Sequence, residues 1–516
     1  MKMIVKSLFG LLAFLQCAQA LNILQIVPGF TNSHILFNYR LAEMLTAQGH
    51  TVTMLNQMEM GMVVAGDLKM PKNTTEYRVP IHFTDTFKSE GLKLIFQTMM
   101  FQSGSAFDLY WTAQEFKSLR LESCEQILNS RLINDSRQYH FDLAIGHFHD
   151  LCPLAVANQI GIKEVLLITH GTSLYDFVAV QSGVRTFPSV VPHPLSSFSD
   201  RMSFFDRIQN VFWHLSTIDF VNLPQNLLHD ENAMFKKRYQ LDDAEDLWSL
   251  SQKVRVILIN GERFLDFPRA LPIAISFMGE LNAAKSTKQS VPIFTGQIGE
   301  VVTKAKNLVI FSLGTVSNTT QMPKNMVESF VEAFARFSPD IDFLWRMEAD
   351  VPQAKNYTNI HLLKWLPQKD LMKHPKLRLL IAHGGYNSFL EASKAGVPIV
   401  LMPLFADQFI NVKRAQRFGT ATTLDKLNLS ADKIESAIRE VLDNKRYHQN
   451  ARQLAGMLAE KPSQELMLNY GLKLATLKRD HFALKAAQKL NFLSFYNFDV
   501  LLSLLFVPVI FLSLLE

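Results

Sequence analysis

Short apolar runs that end in a turn and lead into a helical pattern constrain the fold of this chain most. The clearest example is the apolar run 379–382, which a His-Gly-Gly turn follows. A helix is predicted from about 387 to 395, and Gly396 has the position of its C-terminal cap. Residues 397–402 are the next predicted strand. This alternation of strand, turn and helix predicts an α/β fold with a doubly wound parallel sheet.

The same pattern recurs in both halves of the chain, and 516 residues are too many for one hydrophobic core. We therefore predict two domains of this type, joined near 280–303, where small and polar residues replace the apolar periodicity. The predicted strands are 22–27, 51–55, 141–146, 164–169 and 254–259, followed by 308–312, 342–345, 360–363, 379–382 and 397–402. The predicted segments are a signal peptide (1–20), an N-terminal domain (21–285), a C-terminal domain (286–460), helices that return toward the first domain (461–491) and a hydrophobic segment (492–515).

The first 20 residues are typical of a secretory signal peptide, because a lysine-bearing start and an apolar middle precede the cleavage pattern Ala18-Gln19-Ala20. The mature chain is then expected in an oxidising lumen. Cys124 and Cys152 would remain there and permit one disulfide, although two cysteines do not establish a pairing. Five sequons are glycosylation candidates: Asn73, Asn134, Asn318, Asn356 and Asn428.

The C-terminus of the chain is strongly apolar. Residues 500–515 are 16 residues without a charge, whereas a full membrane span needs about 20. We interpret this stretch as a short or weakly anchored membrane segment. An apolar helix docked on the globular part of the protein is the alternative.

The charge balance argues against a nucleic-acid partner. The net charge is +5, charged residues make up 19% of the chain, and no basic stripe interleaved with aromatic residues occurs. Hydrophobic residues make up 48%, which is a globular composition raised slightly by the two apolar ends.

The turn after residue 382 has the properties of an anion site. A glycine turn that feeds a helix presents free N–H groups and the positive end of the helix dipole, which suit a phosphate. Gly385 and His383 belong to this turn, and the histidine can add a hydrogen bond or a positive charge. A second glycine turn follows the strand 308–312 and brings Thr315 to an equivalent position. Both turns are expected to contact a diphosphate.

Further polar and aromatic residues surround this turn. Trp365 offers a flat surface on which a base can stack. Asn387 and Glu391 share one helix face, and the carboxylate suits sugar hydroxyls better than phosphate. Asp407 and Gln408 begin the next helix at the same edge of the predicted sheet. Because open α/β sheets bind ligands at this edge, the stretch predicts a site for a nucleotide sugar.

The stretch from Trp365 to Asn411 resembles the signature of the UDP-glycosyltransferases, specifically the animal UDP-glucuronosyltransferase type, and similar features extend along nearly the whole chain. The resemblance implies two Rossmann-like domains that face each other across a cleft, the GT-B arrangement. It also implies an inverting transfer of a sugar from UDP to a hydroxyl of a small lipophilic acceptor, without a metal or another cofactor. The UDP-sugar-binding residues that it implies are Thr315, Trp365, Gln368, His383, Gly385, Asn387, Ser388, Glu391, Asp407 and Gln408.

The resemblance assigns the general base to His34, which follows the first strand. In the family an acidic residue just after the strand 141–146 orients this histidine. Here that position falls on His147, and the nearest carboxylate beyond it is Asp150, which we nominate for the role. Alternatively, His147 interacts with the base, or a carboxylate from elsewhere takes this role.

The expected partners are a UDP-sugar, a lipophilic acceptor and a membrane, together with other copies or relatives in an oligomer. The resemblance implies an endoplasmic reticulum membrane protein with lumenal catalytic domains. Glucuronate is favoured over glucose as the sugar, although no single residue decides between them. Two further hypotheses remain: a protein that binds a UDP-sugar or an apolar molecule without chemistry, and a structural partner of active relatives.

Overall fold

The structure is a computed structural model of the chain. It describes residues 20–29, 32–58, 70–82, 100–101, 119–130, 133, 135, 139–148, 150–169, 174–216, 229–240, 246–279, 281, 292–314, 317, 319–477 and 484–504. The predicted signal peptide, apart from Ala20, and residues 505–515 of the C-terminal segment lie outside the described residues. So do Thr315, Asn134 and Asn318, together with residues 280 and 282–291 of the predicted domain junction.

Seven parallel strands form the first sheet, in the order β3-β2-β1-β4-β5-β6-β7. The direction of winding reverses between β1 and β4, whose residues Ile23 and Leu143 are paired. Such a reversal opens a crevice at the carboxyl ends of the two strands. The strands are β1 (Asn22–Gly29), β2 (Thr51–Met58), β3 (Thr74–Pro80), β4 (Leu143–His147), β5 (Val165–Thr169), β6 (Val256–Ile259) and β7 (Ile275–Phe277).

Six parallel strands form the second sheet, in the order β10-β9-β8-β11-β12-β13. Here the winding reverses between β8 and β11. The strands are β8 (Asn307–Ser312), β9 (Ile341–Arg346), β10 (Ile360–Leu363), β11 (Leu377–Ala382), β12 (Ile399–Leu401) and β13 (Ala421–Thr423). The predicted α/β architecture with two doubly wound sheets is therefore confirmed.

Both faces of each sheet are buried. Successive residues of β1, Ile23 and Leu24, belong to different hydrophobic clusters on opposite faces of the first sheet. In the second sheet, the successive residues Leu379 and Leu380 of β11 likewise belong to two different clusters, one on each face. Because helices cover both faces, the central strands are continuous apolar runs rather than alternating ones, which is why their sequences indicate strands so clearly.

The helices connect these strands and pack on both sheets. They are α1 (Asn32–Ala47), α2 (Cys152–Ile160), α3 (Asp176–Ala179), α4 (Phe204–Ser216), α5 (His229–Tyr239), α6 (Leu247–Ser251), α7 (Gly296–Lys304), α8 (Lys324–Ala335), α9 (Gln368–Leu371), α10 (Tyr386–Ala395), α11 (Gln408–Arg417), α12 (Ala431–Asp443), α13 (Lys445–Ala459), α14 (Gln464–Thr476), α15 (Lys485–Gln488) and α16 (Phe492–Phe495). Residues 119–128 and 498–504 are also helical. A disulfide joins Cys124 to Cys152 at the start of α2.

Helix α14 returns to the first sheet after the second sheet is complete. Its residues Leu468 and Leu472 are buried in the same cluster as Ile23 and Leu258 of the first sheet. Gly471 lies so close to Leu258 that an added Cβ would be 2.8 Å from that side chain. The last long helix therefore completes the core of the N-terminal lobe.

Within the ranges given above, the structure contains no helix that is both long and apolar enough to cross a bilayer.

Candidate functional site

The turns after β8 and β11 lie side by side at the point where the second sheet reverses its winding. Gly314 and His383 occupy these turns, and Gly314 has a positive φ of 78°. A Cβ on Gly314 would lie 2.5 Å from Cε1 of His383, and a Cβ on Gly385 would lie 2.5 Å from its Nε2. The imidazole is thus held between two glycine backbones, neither of which can carry a side chain without displacing it.

Burial of the His383 ring disfavours its charged form. This burial lowers the pKa of His383 to about 4, and the nearby guanidinium of Arg346 acts in the same direction, against the backbone of Ser312. Of the two roles predicted for this residue, a hydrogen bond therefore fits and a positive charge does not. The sequence leaves these two roles open because it does not reveal how closely the two turns enclose the ring.

The amides that begin α10 are arranged as an anion site requires. Gly385 is the N-cap of this helix, and no side chain caps its first turn. Gly384, with φ of 87°, makes the turn that brings β11 to the helix. The carbonyl oxygen of Gly384 accepts a hydrogen bond from Asn411 Nδ2 of α11 at 2.9 Å, and this bond stabilises the turn. The N–H groups of the first turn and the helix dipole are thus available to a phosphate.

Hydrogen bonds from one side chain connect three of the predicted UDP-sugar-binding residues. Gln368 Nε2 donates to Ser388 Oγ at 3.0 Å and to Glu391 Oε2 at 2.9 Å. Gln368 begins α9, whereas the other two residues lie one turn apart on α10. This arrangement fixes the Glu391 carboxylate against Gln368, and carboxylate oxygens suit polyhydroxylated groups.

The start of α11 is fixed by its own side chains. Gln408 is 3% exposed, and its Oε1 accepts the backbone N–H groups of Leu404 and Phe405 at 2.7 and 3.1 Å. Asp407 Oδ2 accepts from Asn411 Nδ2 at 3.0 Å, and burial raises the pKa of Asp407. Gln408 therefore shapes the loop that presents Asp407. Because these bonds occupy Oε1, only the amide nitrogen of Gln408 remains for the predicted contact with a ligand.

The remaining predicted residues of this lobe lie at its surface. Trp365, directly after β10, is 66% exposed, which leaves its ring face open for stacking. Asn387 is also exposed, on the first turn of α10. Thr315 lies outside the described residues, one position beyond Gly314.

The first sheet places two histidines where its winding reverses. His34 lies in the first turn of α1, after β1, and His147 is the last residue of β4. The Asn38 carboxamide connects the two elements, because its Nδ2 donates to the His34 carbonyl at 2.9 Å and lies 3.0 Å from His147 Nε2. Gln25 Nε2 in turn donates to Asn38 Oδ1 at 2.7 Å. A neutral amide network, with His147 only 3% exposed, thus supports the turn that carries His34.

Asp150 is engaged at the start of α2. Its Oδ1 accepts the backbone N–H of Cys152 at 3.0 Å. Burial raises its pKa to about 6, against the favourable charge of Arg120 and with the repulsion of Glu231. Among the described residues, Asp150 has no hydrogen bond with His34. Its nomination as the orienting carboxylate remains a prediction.

The carboxyl edges of the two sheets face each other. Residues 260–266 follow β6 of the first sheet, and α10 and α11 follow β11 and β12 of the second. The Glu262 backbone N–H donates to the Tyr386 hydroxyl oxygen at 2.8 Å. Arg414 Nη2 donates to Asp266 Oδ1 at 2.7 Å. These contacts place the ligand edges of both sheets on the two sides of one interface.

Sequence reasoning assigned no role to Asp266, Tyr386 or Arg414, which make this interface, although a signal for Arg414 exists. Asn411 and Arg414 follow Asp407 at helical spacings of four and seven, which puts all three on one face of α11. The positive φ of Ala406, 53°, was also not foreseen, because alanine gives no sign of a left-handed conformation. Three of the predicted glycosylation candidates, Asn73, Asn356 and Asn428, are exposed.

The comparisons with known proteins agree on one family. Residues 24–512 match the family model described as "UDP-glucoronosyl and UDP-glucosyl transferase". The chain is 54% identical over 493 residues to a Caenorhabditis elegans protein provisionally named UDP-glucuronosyltransferase ugt-60, covering 94% of this chain and 96% of that one. It is 29% identical to the rat UDP-glucuronosyltransferase 1-2 over 402 residues, with 75% of this chain and 67% of the relative covered.

Solved structures show the same fold at low sequence identity. The UDP-glucose: anthocyanidin 3-O-glucosyltransferase in complex with UDP has a TM-score of 0.55 and 14% identity, and the match covers 88% of this chain and 98% of that one. The glycosyltransferase VinC in complex with dTDP has a TM-score of 0.56 and 16% identity, with 88% and 99% covered. The fold is therefore the GT-B arrangement of two Rossmann-like domains. By its full-length match and its architecture, this chain belongs to the UDP-glucoronosyl and UDP-glucosyl transferase family and is a glycosyltransferase.

Proposed function

We propose that the protein transfers glucuronate, or alternatively glucose, from UDP to a hydroxyl of a small lipophilic acceptor, with inversion at the anomeric carbon. The proposal rests on one observation. The carboxyl edges of the two sheets face each other, and the ion pair of Asp266 and Arg414 connects them. One edge carries an imidazole at the start of a helix, and the other carries a helix N-terminus without a side-chain cap, beside the His383 ring.

In the proposed reaction His34 accepts the proton of the acceptor hydroxyl as its oxygen attacks the anomeric carbon. The bond between that carbon and the β-phosphate oxygen breaks, and its electron pair leaves with UDP. The amides that follow Gly385 would donate hydrogen bonds to the departing diphosphate, with the His383 ring beside them. Holding donor and acceptor in one cleft supplies a large part of the acceleration.

Donor binding is assigned to the second lobe. Trp365 would stack on the uracil ring, and the bonded group of Gln368, Ser388 and Glu391 would bind hydroxyls of the ribose. Asp407, held by Asn411, would bind hydroxyls of the transferred sugar. We place the protein in the endoplasmic reticulum membrane with both lobes in the lumen, as the apolar ends and the exposed sequons suggest.

The position of His147 bears on the strength of catalysis. At the place where the family has a carboxylate, this chain has an imidazole bonded to Asn38. A neutral network stabilises the imidazolium of His34 less than a carboxylate would. This observation favours the second candidate function, a protein that binds a UDP-sugar with little or no turnover.

The deciding experiment compares the wild type with His34→Ala, using UDP-glucuronate and UDP-glucose with a panel of phenols and steroids. UDP release and the mass of the glycosylated products are measured, and UDP binding is measured separately by calorimetry. We expect turnover in the wild type, its loss in the variant, and equal UDP affinity in both. Equal turnover in the variant would remove His34 from the mechanism. UDP binding without products from the wild type would favour the binding protein.

A further inference from the structure

Helix α4 (Phe204–Ser216) is oriented with its polar side toward the protein. Asn210 is fully buried, and its Nδ2 donates to the carbonyl oxygens of Pro188 and Val191 at 2.7 and 2.9 Å. His214, 2% exposed, also bonds to the Val191 carbonyl, at 3.1 Å. The hydrogen bonds of Asn210 and His214 therefore attach the helix to the segment 188–191 of the lobe.

The opposite side of α4 is apolar and exposed. Its five members are 39% to 72% exposed, and they form the α4 apolar face: Phe204, Phe205, Ile208, Val211 and Phe212. At about 100° per residue, they occupy an arc of roughly 120° centred opposite Asn210. Three phenylalanines exposed by more than 60% on one helix make a patch of the kind that marks an interaction site.

The C-terminal segment contacts residues 186 and 187, which directly precede the segment 188–191 that binds α4. The Tyr496 hydroxyl donates to the Thr186 carbonyl at 2.7 Å, and the rings of Phe187 and Tyr496 meet edge to face at 5.7 Å. Residues 186–191 thus hold α4 on one side and the C-terminal segment on the other. Beyond this contact all residues from 497 to 504 are exposed, among them Asp499 and four aliphatic residues, Val500, Leu501, Leu502 and Leu504. The sequence 505–515 has no charged residue.

The composition of this region favours lipid as the occupant. The two apolar elements are fixed to one short loop, residues 186–191, and are therefore neighbours on the N-terminal lobe. Arg207 flanks the α4 apolar face, and its guanidinium lies 5.9 Å from the centre of the Phe204 ring. An arginine at the edge of an aromatic patch suits the boundary between acyl chains and phosphate head groups. The apolar run 500–515 is short for a span, and stable membrane attachment commonly needs a second contact.

We propose that the α4 apolar face is a lipid-binding surface that enters the interfacial layer of a phospholipid bilayer beside the C-terminal segment. The protein is then attached at two points of its N-terminal lobe. This attachment does not depend on which sugar or acceptor the enzyme uses.

Flotation with vesicles of phosphatidylcholine and phosphatidylserine tests the proposal on the full chain. The variant Phe204→Ser/Phe205→Ser/Phe212→Ser is compared with a matched control, Ile293→Ser/Leu427→Ser/Leu466→Ser, whose side chains are exposed elsewhere by 93%, 57% and 59%. We expect the α4 variant to lower the vesicle-bound fraction by about fivefold or more, and the control to leave it unchanged. Bound fractions equal to the wild type in the α4 variant would overturn the proposal.

A site-specific probe identifies the occupant. Cys124 and Cys152 are joined in a disulfide, and the third cysteine, Cys17, lies in the predicted signal peptide. A Phe205→Cys variant of the mature chain can therefore be labelled selectively with an environment-sensitive fluorophore. A blue shift with vesicles and quenching by lipids with brominated chains are expected at this position and not at Leu427→Cys. A blue shift that instead follows protein concentration without lipid would assign the face to a second copy of the chain and overturn the proposal.

Discussion

Asp266 and Arg414 form a buried ion pair between the two lobes, with 2.7 Å between Oδ1 and Nη2. The Arg414 side chain is 1% exposed and that of Asp266 is 7% exposed. Burial opposes ionisation of Asp266, but the guanidinium holds the pKa of this carboxyl below its usual range. Arg414 Nη1 also donates to Asn411 Oδ1 at 2.6 Å, and Asn411 bonds to Gly384 and Asp407. One arginine thus connects the first lobe to both ligand-binding turns of the second.

Breaking this pair should destabilise the protein and weaken donor binding together. Asp266→Ala leaves a buried guanidinium without its partner, so we expect the free energy of unfolding to fall by about 3–5 kcal/mol. Chemical denaturation measures the loss, and calorimetry with UDP measures the affinity. Arg336→Ala is the control, since Arg336 pairs with Asp432 and Glu435 at the surface, where solvent screens the charges and the loss should be small. A loss as small as that of the control would show that the pair does not hold the lobes.

A methyl group on Gly385 should damage the anion site without damaging the fold. Its φ of −59° suits alanine, but the new Cβ would lie 2.5 Å from His383 Nε2 and force the ring to move. We expect Gly385→Ala to raise the Kd for UDP by about tenfold, because the ring and the helix amides would no longer converge. Gly456→Ala, in α13, meets nothing within 4 Å and should leave UDP affinity as it is. Unchanged affinity in Gly385→Ala would place the diphosphate elsewhere.

Replacement of His147 by a carboxylate should strengthen the proposed base. Asp at this position would lie against the Asn38 carboxamide, beside the turn of His34, and its charge would favour the imidazolium formed in the reaction. We expect kcat of His147→Asp to rise by about tenfold relative to His147→Asn, which has the same shape without the charge. The ratio of the two rates across the pH range isolates the charge. Equal rates would mean that this position does not communicate with His34.

The carboxyl of Asp150 should give folding stability a measurable pH dependence. Its pKa of about 6 in the folded protein exceeds its ordinary value of 3.8, so folding favours the protonated form. The contribution of this group is therefore greatest near pH 4 and declines as pH rises to about 6. Relative to the wild type, Asp150→Asn should gain up to about 3 kcal/mol in the free energy of unfolding between pH 4 and pH 7.

Urea denaturation at several pH values measures this difference. Asp340→Asn removes an exposed carboxylate, 71% accessible, and serves as the control. A difference between wild type and Asp150→Asn that stays constant with pH would show that the Asp150 carboxyl is not desolvated.

Much of the fold follows from the sequence because buried strands are continuous apolar runs. The strands that were not predicted are β3, β7 and β13, and all three lie at edges of the sheets. The segment Thr74–Pro80 is half exposed and polar, and Ala421–Thr423 has three residues, so neither offers an apolar run. The glycine turn at 383–385 and the helix after it were predicted because glycine and helix caps are local signals. The enclosure of His383 and the left-handed Ala406 depend on distant packing, which leaves no mark in the local sequence.

The return of α14 means that the chain passes between the lobes twice. A protease cut in the junction near residue 285 would leave the halves associated, since Leu468 and Leu472 remain seated against Leu258 and Ile23. A recombinant N-terminal half expressed alone would lack this apolar cover and should aggregate. Supplying the missing helix as a separate peptide should restore its solubility.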